Sequence, residues 1–362
     1  MHQIIEEDCK RIIQEISIDA FNNIAQKNIL LTGSCGFLGA YFMYSVLYAN
    51  KTILKNKEAN LYAIDNFIRG KPSWLGDFEG NDFINVIEYN IVENVPPNLP
   101  NINFVIHAAS IASPIYYRQF PIETMDANVI GVRNLLDYAL ENKASMESFL
   151  YFSSSEIYGN PDPKHIPTNE DYWGNVSCIG PRACYDESKR YGETLCVNFY
   201  RVHQIPIKIV RPFNNYGPRL KITDKRVIPD FFRNLLNKED IVLLSDGSPT
   251  RTFCYISDAI IGYWKALLSN FNGEIFNIGN DKPEISMLEL AKLIVKIGKK
   301  QLDINIDIKC QESDDFDYLT DVPNRRCPDI TKAKTLLDYT PKVSLEEGLT
   351  RTLQWYQDNR EI

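Results

Sequence analysis

The stretch "ILLTGSCGFLGAYF", residues 29–42, decides the fold. The apolar run Ile29–Leu31 passes through Thr32 into Gly33, and Gly36 and Gly39 follow at three-residue intervals. A short buried strand that ends in glycines and opens into an apolar helix is the sequence form of a dinucleotide-binding turn. The small residues let the backbone turn tightly and approach a pyrophosphate, which sits on the helix N-terminus. A glycine triplet alone is weak evidence; the strand before it and the helix after it give it weight. The following strand, "NLYAID", ends in Asp65. A carboxylate there accepts hydrogen bonds from both ribose hydroxyls and repels a 2′-phosphate, so NAD is expected over NADP. Arg69 is a nearby cation that pulls the other way.

Moving outward, further apolar runs follow: "FINVIEYN", "NFVIHAA", "SFLYFSSS" and "IPIKIVRPF". Segments of helical periodicity lie between several of them, such as "TMDANVIGVRNLLDYALEN". Strands that alternate with helices predict an α/β fold, a Rossmann-type doubly wound parallel sheet with helices on both faces. After about residue 215 short strands, turns and helices mix, which predicts a smaller C-terminal α/β substrate lobe. The expected division is an N-terminal helical extension over 1–27, a Rossmann domain over 28–215, and a lobe over 216–362 with some segments returning to the main domain.

The composition is that of a globular protein, 44% hydrophobic and 24% charged over 362 residues. A formal net charge of −8 argues against a nucleic-acid or anionic-membrane surface. No run of apolar residues is long enough for a membrane span. The eight cysteines are scattered without a CxxC pair, which reads as reduced thiols in a cytoplasmic protein. His2, His107, His165 and His203 have no metal-ligand spacing, so no metal is expected.

"ACYDESKR", residues 183–190, places Tyr185 and Lys189 four residues apart, on one face if the segment is helical. In isolation a surface helix with a stray phenol is the better explanation of this pair, since YxxxK often occurs by chance. The glycine loop changes the balance. A free phenol titrates near ~10, and nearby cations favour phenolate, so a lysine beside a tyrosine makes a usable base.

The glycine loop and the YxxxK pair together resemble the extended short-chain dehydrogenase/reductases that modify nucleotide sugars. "EDYWGNVSCIGPRACYDESKRYGETL", residues 170–195, is more specific and resembles the UDP-glucuronate decarboxylases, which form UDP-xylose. "HAASIASPIYY", "RPFNNYGPRL", "DGSPTRTFCYISD" and "NRRCPDITKAK" are similar to blocks of that family in the same order, so the likeness runs from about residue 28 to 350. The chain departs from it at Ile111, which replaces a proline, at Asn90, where an aspartate is usual near the adenine, and in "FNNYGPRL".

The resemblance implies the following roles. Tyr185 is the acid/base, Lys189 holds the nicotinamide ribose, and Ser154 in "FSSSEIYG" bonds the reacting sugar oxygen. Gly33, Gly36, Phe37, Leu38, Gly39, Asp65, Asn66, Asn90, Ile91, Ala108 and Ala109 line the NAD site with Tyr185 and Lys189. Ser155, Arg182, Asn214, Arg251 and Arg326 face the nucleotide sugar. Sugar 4,6-dehydratases carry Asp-Glu after the catalytic hydroxyl, whereas this chain carries Ser155-Glu156. The acid for a departing water is missing and the carboxylate remains, which favours decarboxylation. A 4-epimerase is the alternative, and a non-catalytic nucleotide-sensing Rossmann protein a more distant one. Family relatives pair two helices from each subunit, so a homodimer with a four-helix interface is expected.

Overall fold

Seven strands form one parallel sheet in the computed structural model, which describes residues 1–311, 320 and 323–359. They are β1 (Asn28–Thr32), β2 (Asn60–Asp65), β3 (Ile84–Glu88), β4 (Phe104–His107), β5 (Ser148–Phe152), β6 (Ile207–Pro212) and β7 (Ile275–Ile278). The spatial order is β7-β6-β5-β4-β1-β2-β3, and every neighbouring pair is parallel. The chain starts in the middle of the sheet, runs out to β3, and returns to the other side of β1. That reversal between β1 and β4 opens a crevice at the carboxyl ends of the strands, where doubly wound sheets bind ligands. The sheet is therefore Rossmann-like, as the alternation of apolar runs requires. Its seventh strand comes from "EIFNIGN", beyond residue 215.

The helix after the glycine loop, Phe37–Lys51, is apolar on nearly every side and almost wholly buried. A helix of that kind needs cover on both faces. The amphipathic N-terminal helix Gln3–Ile16 supplies the outer cover through Ile5, Cys9, Ile12 and Ile13. Asp8 is buried at this junction; its carboxylate accepts from the Tyr41 hydroxyl (2.9 Å) and the Tyr255 hydroxyl (3.0 Å), and pairs with Arg351 (3.0 Å).

"TMDANVIGVRNLLDYALEN" is helical, but its middle, Ala127–Gly131, is a π turn. The segment packs beside the long helix Ala183–His203. There the buried Asn128 amide donates to the Ser188 hydroxyl at 2.9 Å. Beyond β6, Thr250–Arg251 forms a short ribbon between Ile285–Ser286 and Arg325–Arg326. Its register sets Arg326 opposite Arg251. Among the described residues, no helix is long and apolar enough to cross a membrane.

Candidate active site

A cavity of about 680 Å³ lies along the carboxyl ends of β1, β2, β4, β5 and β6. At one end is the glycine loop. Gly33 has φ +70°, and a Cβ there would meet the Ala109 backbone at 2.7 Å. A Cβ on Gly39 would stand 2.2 Å from the Gly33 carbonyl oxygen. Both positions therefore exclude any side chain, which lets the strand, the loop and the helix close up. Gly36 caps the helix Phe37–Lys51 with no side chain over its first N–H groups. These donors face the cavity beside Phe37 and Leu38, an arrangement suited to a pyrophosphate.

Asp65 ends β2 at the same crevice. Its carboxylate accepts from the Cys35 N–H and the Phe67 N–H, each at 2.9 Å. Burial raises its pKa, and those two backbone donors oppose the rise. Asn66, Asn90, Ile91, Ala108 and Ala109 line the same wall. The Asn90 side-chain oxygen accepts from the Val92 N–H at 3.2 Å, which leaves its NH2 for a ligand. These residues fit an adenine dinucleotide: a Cβ-free cradle, an open helix start, and a carboxylate at ribose depth.

Tyr185 and Lys189 sit on the helix Ala183–His203, both buried, with the Lys189 Nζ 5.9 Å from the centre of the Tyr185 ring. The ammonium donates to the Phe152 carbonyl at 2.7 Å. Burial pushes the Tyr185 phenol up to about 12, opposed by its hydrogen bond with Ser154. Burial also lowers Lys189 to about 7. The Lys189 ammonium uses one of its three N–H donors on this carbonyl, which leaves two for a nicotinamide ribose. Ser154 is the phenol's direct partner.

Ser154 and Ser155 follow the end of β5, and the Ser154 hydroxyl accepts from the Glu156 N–H at 3.1 Å. This turn is held rigidly. Arg211 on β6 donates twice to Glu193 of the long helix (2.8 and 2.6 Å) and once to the Tyr158 hydroxyl (2.6 Å). The strand end, the "SEIY" turn and the Tyr185 helix are thereby one unit.

Glu156 lies between two guanidiniums. Arg326 holds it with two hydrogen bonds, one at 2.6 Å, and Arg182 donates from the other side. Burial alone would raise this carboxyl, but the two arginines hold it down to about 2. Arg251 stands next to them and donates to the carbonyls of Thr250, Asn324 and Pro323. Burial and the adjacent Arg326 lower its pKa to about 9. Asn214, with φ +38°, donates to the Thr252 carbonyl at 2.9 Å and borders the cavity.

The cavity thus brings together all the residues expected from the sequence. Tyr172 stacks on His165 and Tyr158, while the neighbouring Trp173 is 88% exposed and fills no core. His107 is buried against the Thr32 hydroxyl (2.8 Å), and burial lowers it to about 3, so it is neutral. Among the cavity residues that were not anticipated, four bear on the chemistry. Tyr117 stacks on Tyr185 with centroids 5.1 Å apart, and Lys221, Asp224 and Arg226 enter from the loop after β6. Only the aromatic pair in "IYYRQF" gave a sequence signal for the first; the charged loop looked like ordinary surface.

The NAD dependent epimerase/dehydratase family model matches residues 29–279. A UDP-glucuronic acid decarboxylase of Arabidopsis thaliana is 38% identical over 321 residues, which cover 89% of this chain and 86% of that protein. One of Danio rerio is 36% identical over 331 residues, covering 91% and 73%. Among solved structures, a UDP-glucuronic acid 4-epimerase of Bacillus cereus, in complex with UDP-glucuronic acid and NAD, superposes with a TM-score of 0.73. It is 26% identical, covering 92% of this chain and 99% of that one. With a glycine cradle, a Ser-Tyr-Lys site and these relatives, the chain belongs to the NAD dependent epimerase/dehydratase family.

Proposed function

We propose that the protein is an NAD-dependent nucleotide-sugar decarboxylase that converts UDP-glucuronate to UDP-xylose by transient oxidation at C4. The observation that carries this reading is the Ser155-Glu156 pair, with Glu156 bound between Arg182 and Arg326. The site has no aspartate beside Glu156 to protonate a leaving water, and its two nearest guanidiniums hold the Glu156 carboxylate in place. The decarboxylase relatives, similar over most of the chain, support the same choice.

NAD, when bound, supplies a hydride acceptor at C4 and returns the hydride at the end of the cycle. Tyr185 removes the C4 hydroxyl proton, directly or through Ser154. The ketone formed at C4 is β to the carboxylate, so the bond to CO2 breaks and its electrons enter an enolate. A proton is then delivered to C5, and Tyr185 gives its proton back to the C4 oxygen. A carboxyl held near 2 is ionised at neutral pH, so Glu156 positions the ring while both arginines hold it. Asn214 and Arg251 face the nucleotide diphosphate and Arg326 the nucleotide's ribose or phosphate region, where guanidinium forks match phosphate geometry. In this reading residues 28–215 carry NAD and 216–362 carry most of the nucleotide contacts.

The protein acts as a cytoplasmic homodimer, with eight unpaired cysteines and with Ile122, Met125, Ile130 and Tyr191 exposed on the two helices available for pairing. Incubation with UDP-glucuronate and mass analysis of the product tests the reading. Loss of CO2 supports it. An unchanged mass with inverted C4 stereochemistry makes the enzyme a 4-epimerase, the alternative that the Bacillus cereus structure favours.

A further inference from the structure

Arg69 drew attention in the sequence as a cation close to the ribose carboxylate, yet its guanidinium does not face that carboxylate. It donates to Asp224 at 3.2 Å and lies over the Tyr116 ring, 4.1 Å from its centre. Asp224 belongs to the loop between β6 and the helix Val227–Asn237, and its side chain is almost wholly buried. That loop is fastened at several further points. The Lys221 Nζ donates to the Arg69 carbonyl at 3.1 Å, and the Ser113 hydroxyl donates to the Asp224 carbonyl at 2.9 Å. Arg226 donates to the other oxygen of Asp224 and lies close enough to Tyr185 to favour its ionised form.

These contacts run from the loop after β2, past the loop after β4, to the catalytic tyrosine. Lys221, Asp224, Arg226 and Arg69 all border the same cavity as the glycine loop and Asp65. The segment therefore lies as a strap across the crevice from its ribose end to its reacting end. We infer that residues 217–226 are a strap over the dinucleotide, that the Arg69–Asp224 bridge is its clasp, and that opening the clasp sets the rate at which NAD leaves. The inference rests on the proposed C4 oxidation only for its purpose. A hydride taken from the sugar must be returned to the same sugar, so release of the cofactor between the two steps ends the cycle. Lys221 adds a second effect. Its charge stands near Asp65, lowering that carboxyl and favouring the ionised form that binds ribose hydroxyls.

The clasp is suited to opening. Arg69 is about one-third exposed, whereas Asp224 keeps Arg226 as a partner when Arg69 is gone. Truncating Arg69 therefore removes the link to the loop after β2 and leaves Asp224 paired with Arg226.

The test measures cofactor retention and not turnover. Wild type, Arg69→Ala and Tyr116→Ala are loaded with NAD, passed through a desalting column, and sampled over time for NAD that stays with the protein. Both variants are expected to lose NAD at least about tenfold faster, with unchanged melting temperatures in the absence of NAD. Arg69→Lys, which keeps the charge and loses the planar stack, is expected to fall between them. Hydrogen exchange over 217–226 is expected to slow when NAD is added. Equal retention in wild type and both alanine variants overturns the inference, as does exchange in the loop that ignores NAD. A wild-type enzyme that retains NAD through the clasp yet fails to decarboxylate UDP-glucuronate overturns the proposed reaction and leaves the strap standing.

Discussion

Glu156 and Arg326 are 170 residues apart in the chain and meet with both carboxylate oxygens engaged. The pairing depends on two separate pieces of folding. The "SEIY" turn at the end of β5 aims Glu156 into the crevice. The ribbon that pairs Arg325–Arg326 with Thr250–Arg251 carries Arg326 to the opposite wall. Since Arg182 also holds Glu156, a carboxylate-bearing sugar enters a site whose cations are already occupied by a carboxylate.

Glu156→Gln is therefore expected to separate the two halves of the reaction. Ser154, Tyr185 and Lys189 remain in place, so NADH absorbance still appears when the variant is mixed with UDP-glucuronate. Release of CO2 is slowed, because the ring is no longer held by a fixed charge. Parallel loss of both signals would place Glu156 in the oxidation step instead.

Tyr185→Phe removes the phenol oxygen and keeps the ring stacked on Tyr117. Melting temperature and NAD content are expected to match wild type. Turnover falls by about 10²- to 10⁴-fold, the range for loss of a general base, and no NADH absorbance develops. Wild-type turnover in this variant would remove Tyr185 from the chemistry.

Cofactor choice follows from Asp65, whose carboxylate is fixed by the Cys35 and Phe67 N–H groups. NAD is expected to bind much more tightly than NADP in a fluorescence titration. Arg69 does not reverse this, since its guanidinium is taken up by Asp224 and Tyr116. Equal affinities would mean that Lys221, near the same carboxylate, accepts the 2′-phosphate.

Asp8 gives a pH dependence to stability. Burial raises its carboxyl from 3.8 to about 6 in the folded protein, against the pull of Arg351, Tyr41 and Tyr255. The folded state then binds the proton more tightly than the unfolded state. The stabilisation from this group is complete below 3.8 and is lost as pH rises through about 6. Asp8→Asn abolishes that titration. The melting temperature of wild type relative to the variant should rise as pH falls across this window. A difference that stays constant from pH 7 to pH 4 would show that Asp8 does not titrate there.

Subunit pairing is checked by light scattering. Wild type is expected as a dimer at micromolar concentration, and Met125→Asp with Ile130→Asp as a monomer. Both side chains are exposed on the segment that packs beside the Tyr185 helix, so the double change leaves the core of the subunit intact.

The sequence alone determined the parts of this protein that depend on local order along the chain. Gly33, Gly36 and Gly39 after a strand and before an apolar helix specify a tight turn, and a Cβ at Gly33 would meet Ala109 and one at Gly39 the Gly33 carbonyl. Apolar runs alternating with helices leave a parallel sheet as the way to bury both faces. Tyr185 and Lys189 share a helix face by their spacing. Tertiary structure decided what depends on distant segments meeting. Nothing in the spacing of Arg182, Glu156 and Arg326 says that one carboxylate will lie between two guanidiniums. Nor does spacing reveal that the Lys189 ammonium donates a hydrogen bond to the Phe152 carbonyl while Ser154 bonds the phenol. Arg69, four residues from Asp65, is by sequence a cation that would favour a 2′-phosphate, and the fold turns it toward Asp224 and Tyr116. A charged side chain on a loop has no periodicity to reveal its partner. Its role is fixed only when another loop arrives with the opposite charge in a place sheltered from water.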